Sequence, residues 1–233
     1  MTPDSSAPSI SADTWSQVDG YISDLFSLHD STLEAALRAS SAAGLPEIQV
    51  SPPQGKLLHM LARQQKARAI LEVGTLGGYS TIWLARGLEP GGRVITLEVD
   101  PKHAEVARAN FANAGLAGSI DLRLGKALET LPRIAEEGLG PFDLIFIDAN
   151  KENNKEYFEW ALKLSRRGSL ILVDNVVRSG SVLDASSTDA AIKGTRRVLE
   201  RMASEPRVTA TIIQTVGVKG YDGFAAALVI ADA

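Results

Sequence analysis

The spacing of apolar residues changes several times along the chain. Trp15, Val18, Ile22, Leu25 and Phe26 recur at three- and four-residue intervals, which is one face of a helix. Leu33, Ala36 and Leu37 carry the same period toward a stop near Gly44. Pro52-Pro53 interrupts the chain, and Pro53 suits the first turn of a helix running to about Arg63. Residues 1–12, MTPDSSAPSISA, have no apolar period and are expected to form a disordered tail. A single domain over 13–233 follows, with its amino-terminal helices ending near residue 65.

From Ala69 onward, short apolar runs alternate with amphipathic stretches. Ala69–Gly74 (AILEVG), Arg93–Val99 (RVITLEV), Ile120–Leu124, Phe142–Asp148 (FDLIFID) and Ser169–Asp174 (SLILVD) predict strands. Ser80–Gly87, Pro101–Asn113, Ala127–Glu136, Glu152–Leu164 and Ala185–Met202 predict helices. Val208–Gln214 and Phe224–Ile230 close the chain as two strands with a Gly-rich connection. Near-continuous apolar strands separated by helices imply a parallel sheet covered on both faces. The last connection is too short for a crossover, so the final two strands should run antiparallel. The expected fold is α/β: a Rossmann-like three-layer sandwich with extra N-terminal helices. Its sheet has seven strands, six parallel and one reversed.

Composition narrows the chemistry. The chain has no cysteine, which excludes disulfides, catalytic thiols, iron–sulfur clusters and thiolate zinc sites. Its three histidines, His29, His59 and His103, are too far apart to form a zinc-binding pair. Any metal must therefore be held mainly by oxygen, as Mg²⁺, Mn²⁺ or Ca²⁺ is. The net charge is −4, and basic residues occur at most in pairs, Arg166-Arg167 and Arg196-Arg197, so no nucleic-acid partner is expected. No apolar run reaches the roughly 18–20 residues that cross a bilayer. The first basic residue is Arg38, so a secretory signal with a positively charged start is not expected, and a cytoplasmic location is.

Ligands of open parallel sheets bind beyond the carboxyl ends of the strands. The first strand ends in EVGTLGGYS (72–80), where glycines permit a tight turn and the next helix offers free N–H groups. Glu98 ends the second strand, 20 residues after Gly78, at the distance where an acid commonly holds a ribose diol. NAD enzymes and S-adenosylmethionine (SAM) enzymes share this pattern. Asp148 ends one long buried strand and Asp174-Asn175 another. On neighbouring strands these three oxygens would surround one point suited to Mg²⁺; alternatively, Asp148 or Asn175 caps the element that follows. Lys151 would reach the same point or stand on the surface. Arg178 either meets an acidic acceptor or is simply exposed.

EVGTLGGYS (72–80), IDANKENNKEY (147–157) and DNVVRSG (174–180), in this order and spacing, resemble the cation-dependent O-methyltransferases of the catechol and caffeoyl-coenzyme A type. The resemblance runs from about Ile48 to the C-terminus and takes in VSPPQG (50–55) and GYDGFAAAL (220–228). It implies that Glu72, Gly74, Thr75 and Ser80 surround the methionine part of SAM. It further implies that Glu98 holds the ribose, Gly125 and Ala127 border the adenine, and Val50 lines the cofactor side of the entrance. Asp148, on the cofactor's edge, would bind Mg²⁺ with Asp174 and Asn175, and Lys151 would be the general base. The implied acceptor is a phenolic small molecule with vicinal hydroxyls, and the implied assembly is a homodimer.

Other chemistries on similar sheets lack their residues. No tyrosine has lysine four positions on, as a short-chain dehydrogenase requires, and no GxxxxGK[ST] phosphate loop occurs. An N-methyltransferase would usually carry Pro-Pro-aromatic after the fourth strand, where this chain has Asp-Ala-Asn-Lys. A silent SAM-binding module would not need Asp148, Lys151, Asp174 and Asn175 together.

Overall fold

Alternate residues of the central strands face opposite helical layers, and that alternation builds the molecule. The computed structural model describes residues 11–232. Its strands are β1 (Ala69–Val73), β2 (Arg93–Glu98), β3 (Ile120–Leu124), β4 (Leu144–Ile147), β5 (Leu170–Asp174), β6 (Val208–Gly217) and β7 (Gly220–Val229). They form one sheet in the order β3-β2-β1-β4-β5-β7-β6. All neighbours from β3 to β5 pair in parallel, and β7 runs antiparallel to both β5 and β6. The expected six parallel strands and one reversed strand are thus observed, and β7 is the reversed one.

The helices are α1 (Ala12–Leu25), α2 (Ser31–Ala42), α3 (Pro52–Gln64), α4 (Tyr79–Arg86), α5 (Pro101–Asn113), α6 (Ala127–Glu136), α7 (Asn154–Lys163) and α8 (Ala190–Ala203). Leu71, Val73, Ile95, Leu97, Ile145, Ile147, Ile171 and Val173 point to one face of the sheet. There they pack against Leu131 and Ile134 of α6, Phe158 and Ala161 of α7, and Val198 and Met202 of α8. Ile70, Val94, Leu144, Phe146 and Leu172 point the other way, onto Leu33, Leu58, Ala62, Ile82 and Phe111 of α2 to α5. Burying both faces calls for apolar residues at most positions of the central strands.

Sequence expectation and structure differ at three places. The proposed tail over residues 1–12 falls, up to residue 10, outside the described residues. Ser11 and Ala12 instead begin α1, because the Ser11 hydroxyl accepts from the Thr14 N–H and caps the helix. The last helix starts at Ala190, not Ala185. Asp189 caps it through the N–H groups of Ala191 and Ile192, while Asp184 draws the Ser186 N–H into a separate turn. The final hairpin is longer than predicted. Gly217 pairs with Gly220 across a two-residue turn, so the glycines belong to the strands and not to a loop.

The apolar stripe of α1 is real but only partly covered. Val18, Leu25 and Phe26, the last just past the helix end, are 49%, 57% and 64% exposed, so among the described residues this face lacks a full partner.

Candidate active site

The sheet changes direction of growth between β1 and β4, and a cavity of about 1310 Å³ opens at the strand ends there. That is where a parallel sheet leaves a crevice between loops diverging to opposite faces. Val50, Gly74, Thr75, Ser80, Glu98, Gly125, Ala127, Asp148, Lys151, Asp174 and Asn175 all line it. These are the sequence-predicted site residues with one exception, Glu72.

Strand register explains the convergence. Val73 pairs with Leu97 on one side and Ile147 on the other, and Ile147 pairs with Val173. The residues one step further, Gly74, Asp148 and Asp174, therefore emerge side by side. The contact at Gly74 requires glycine: its φ is +102°, and an added Cβ would fall 2.8 Å from the Asp148 carbonyl carbon and closer still to its oxygen.

Glu72 is fully buried behind the cavity wall. Its carboxylate accepts hydrogen bonds from Ser80 Oγ (2.7 Å), Thr96 Oγ1 (2.7 Å) and Thr81 Oγ1. Glu72 does not itself line the cavity; it sits behind Ser80, which does. Burial pushes its carboxyl up to about 7, against the three hydroxyl donors and helped by the charge of Asp148.

Glu98 ties two loops together. Its Oε1 accepts from the N–H groups of Val99 and Asp100 (both 2.9 Å), and its Oε2 from Leu76 (2.7 Å) and Thr75 (3.3 Å). His103 Nδ1 stands 3.6 Å from Oε1 and also lines the cavity. The carboxylate thereby fixes the glycine turn against the end of β2.

At the other end, Lys151 is buried and donates from Nζ to Asp148 Oδ1 at 2.9 Å. Asp174 is also buried; its Oδ1 accepts from the Asn175 N–H (2.9 Å) and its Oδ2 from Gln54 Nε2 (2.8 Å). Burial, then repulsion from Asp148, pushes the Asp174 carboxyl up to about 7, opposed by Lys151. Asn175 has a φ of +56°, a left-handed conformation that asparagine tolerates better than most residues.

Three contributors escaped the sequence reading. Gln54 lies in the VSPPQG segment, but nothing local reveals that it meets Asp174, 120 residues away. Tyr157 shows in sequence only as an apolar helix position, yet its hydroxyl donates to Asn150 Oδ1 at 2.6 Å. Asp222 accepts from the N–H groups of Val177 (3.0 Å), Arg178 (2.8 Å) and Gly223 (2.9 Å), and so holds the loop after β5.

A glycine turn, an acid on the adjoining strand tip and a cavity at the switch point define a Rossmann-like enzyme with a nucleotide-type cofactor. Comparison with known proteins refines that class. The O-methyltransferase family model matches residues 25–224. A catechol O-methyltransferase of Niastella koreensis is 55% identical over 212 residues, covering 91% of this chain and 96% of that protein. One of Mycobacterium tuberculosis is 56% identical over 212 residues, covering 91% and 94%. A Bacillus cereus O-methyltransferase solved with S-adenosylhomocysteine superposes with a TM-score of 0.93 at 57% identity, covering 94% of this chain and all of that one. The chain belongs to this family of SAM-dependent O-methyltransferases. Among the described residues, no helix is long and apolar enough to cross a membrane.

Proposed function

We propose that the chain transfers the sulfonium methyl group of SAM to one hydroxyl of a catechol-like small molecule, with a divalent cation held by Asp148, Asp174 and Asn175. The observation that carries this reading is the pair of acidic tips on β4 and β5 beside the buried Lys151. The cavity also exceeds the roughly 300–1,000 Å³ of a one-ligand pocket, which leaves room for a cofactor and an acceptor together. The names of the Niastella and Mycobacterium relatives support the same acceptor class.

The donor set fits a hard cation. It consists of two carboxylates and one amide oxygen, and among the described residues no larger cluster of His, Cys, Asp or Glu could hold a metal. Mg²⁺ commonly takes only one or two carboxylates and keeps water or substrate in its other positions. A cation there would also relieve the repulsion that holds the Asp174 carboxyl up. Mg²⁺, Mn²⁺ or Ca²⁺ would serve, and when bound would stabilise the negative charge developing on the acceptor oxygen.

The protein's own residues do the rest. A phenol with a pKa of about 10 is a poor nucleophile near neutrality. Lys151 takes the hydroxyl proton at Nζ. The oxygen forms its bond to the methyl carbon as the carbon–sulfur bond breaks, giving a methyl ether and S-adenosylhomocysteine. Gly74, Thr75 and Ser80, with Glu72 behind Ser80, hold the methionine end of SAM, Glu98 its ribose, Gly125 and Ala127 its adenine, and Val50 the entrance. Glu98 already accepts four backbone N–H groups, so ribose hydroxyls would replace or share some of them. Holding oxygen and methyl in line at near-attack distance supplies much of the rate.

The test is methyl transfer to a panel of vicinal dihydroxyphenols and matched monophenols, followed by mass spectrometry with and without EDTA. Methylation of the vicinal diols alone, abolished by chelation and restored by Mg²⁺, is expected. Activity indifferent to EDTA would remove the cation from this reading. We further propose a homodimer that covers the exposed apolar residues of α1 and of the edge strand β6, among them Phe26, Ile213 and Val216. Sedimentation should give twice the chain mass, and Phe26→Asp should lower it toward one chain.

A further inference from the structure

We propose that Arg178 selects the acceptor, and that the preferred acceptors are vicinal dihydroxyphenols bearing a carboxylate. This rests on the methyl-transfer reading above and adds the chemical class of the acceptor's remaining substituent.

Position comes first. Arg178 lines the cavity three residues beyond Asn175, on the loop that follows β5. An acceptor whose hydroxyls lie by Asp148 and Asp174 has its ring and substituents left to meet this wall.

Conformation comes second. Arg178 has a φ of +55° and Ser179 a φ of +54°, a left-handed region that non-glycine residues seldom adopt. The strain persists because Asp222 Oδ1 holds the N–H groups of Val177, Arg178 and Gly223 at once. The surrounding structure thus fixes the base of a long cationic side chain at the rim of the site, in a conformation a plain surface loop would not need.

The charge balance at the mouth comes third. Arg178 is half-buried, and among the described residues no carboxylate lies within ion-pair or hydrogen-bond distance of its guanidinium. Two acidic residues on the same cavity, Asp222 and Asp19, are engaged elsewhere. Asp222 is held by its three backbone donors, and Asp19 Oδ2 accepts the Val218 N–H at 2.8 Å. Glu47 lies beside Lys219, whose Nζ donates to the Glu47 carbonyl oxygen at 2.9 Å. Among the described residues, Arg178 and Lys219 are thus the cations at this mouth without a carboxylate ion pair, and Arg178 is the one that presents a planar fork. A planar guanidinium matches a carboxylate with two parallel hydrogen bonds, which a neutral ester cannot reproduce.

The experiment compares 3,4-dihydroxybenzoate with its methyl ester in wild type, Arg178→Ala and Arg178→Lys, by kcat/KM at saturating SAM and Mg²⁺. The carboxylate-to-ester ratio in each variant is divided by the wild-type ratio, which cancels the difference in ring acidity. Arg178→Ala should lower that ratio about tenfold or more, and Arg178→Lys by less, since it keeps the charge and loses the fork. SAM-dependent thermal stabilisation checks folding, and Arg178→Lys carries the test if the alanine variant is unstable. Equal losses on both acceptors, or no loss on either, overturn the assignment while leaving the catechol reading intact. A wild-type enzyme that methylates neither acceptor overturns the catechol reading itself and the inference with it.

Discussion

Gly194, in the middle of α8, lies directly against the backbone of Lys151. A Cβ at position 194 would stand 2.7 Å from Glu152 Cα and closer still to the Lys151 carbonyl oxygen. Arg197, one turn further along α8, donates from Nη2 to the Glu152 carbonyl oxygen at 2.5 Å. The turn that carries the proposed base is thus seated on a helix whose sequence lies more than forty residues away. Helix propensity alone would favour alanine over glycine at 194 by about 1 kcal/mol. The neighbouring atoms are backbone, however, and cannot swing aside. Gly194→Ala should push the Lys151 turn out of place and lower kcat by about a hundredfold, the cost of a displacement near 1 Å. SAM affinity by calorimetry should change little, because the cofactor end of the cavity is built from other elements. An unaltered kcat would show that Lys151 does not need this seat.

Asp174 separates metal binding from folding. Its carboxylate is buried and opposed by Asp148, so an amide at this position relieves repulsion while removing a strong hard-oxygen donor. Asp174→Asn should melt no lower than wild type without metal. It should lose most of the stabilisation that added Mg²⁺ confers on wild type, and turnover should fall by at least about a hundredfold. Matching thermal shifts with Mg²⁺ in both proteins would contradict the ligand role.

The parts of this site visible in sequence were those announced by local pattern. An apolar run ending in Asp148 and another ending in Asp174-Asn175 are unusual for buried strands, and the glycines of 74–78 mark a tight turn. The β4–β5 register then brings both tips together, as parallel neighbours must. What stayed hidden depends on distant partners. Gln54 is an ordinary helix residue until α3 meets the tip of β5, and Gly194 is a weak helix position until Lys151 lands on it. Glu72 stands beside the glycine motif, and the sequence does not show that it lies behind Ser80. Only the positions of Thr81 and Thr96 show that it faces inward. The start of α8 was misplaced because alanine at 185 resembles a helix start, whereas Asp189 captures the free N–H groups of the true first turn.

Glu72 should give the protein a pH-dependent stability. Its carboxyl is raised from 4.5 to about 7 by burial, so the folded chain holds a proton that the unfolded chain has released. Stability from this group is fully present below about pH 4.5 and is lost as pH rises toward 7. Glu72→Gln keeps the shape and never ionises. Relative to wild type it should therefore gain stability between about pH 5 and pH 8, by up to about 3 kcal/mol. Asp174 is raised over the same range, so the variant retains part of the slope. Scanning calorimetry of both proteins across this window checks the difference, and parallel curves would contradict it.

Glu205 should act in the opposite direction and far from the cavity. It joins the end of α8 to the start of β6, accepting from Arg207 Nε at 2.7 Å and Arg201 Nη2 at 2.6 Å. These partners, Arg207 foremost, pull its carboxyl down to about 2. A depressed carboxylate stabilises the fold above its unfolded value of 4.5, and that contribution disappears as pH falls toward 2. Glu205→Gln should thus lower Tm by several degrees near neutrality, and the gap should close on acidification. Both arginines are about a quarter exposed, so solvent screens the pairs and the loss should be nearer 1 than 3 kcal/mol. Because position 205 does not line the cavity, kcat and SAM affinity at moderate temperature should stay at wild-type values. A large kinetic change would instead couple this junction to the active site.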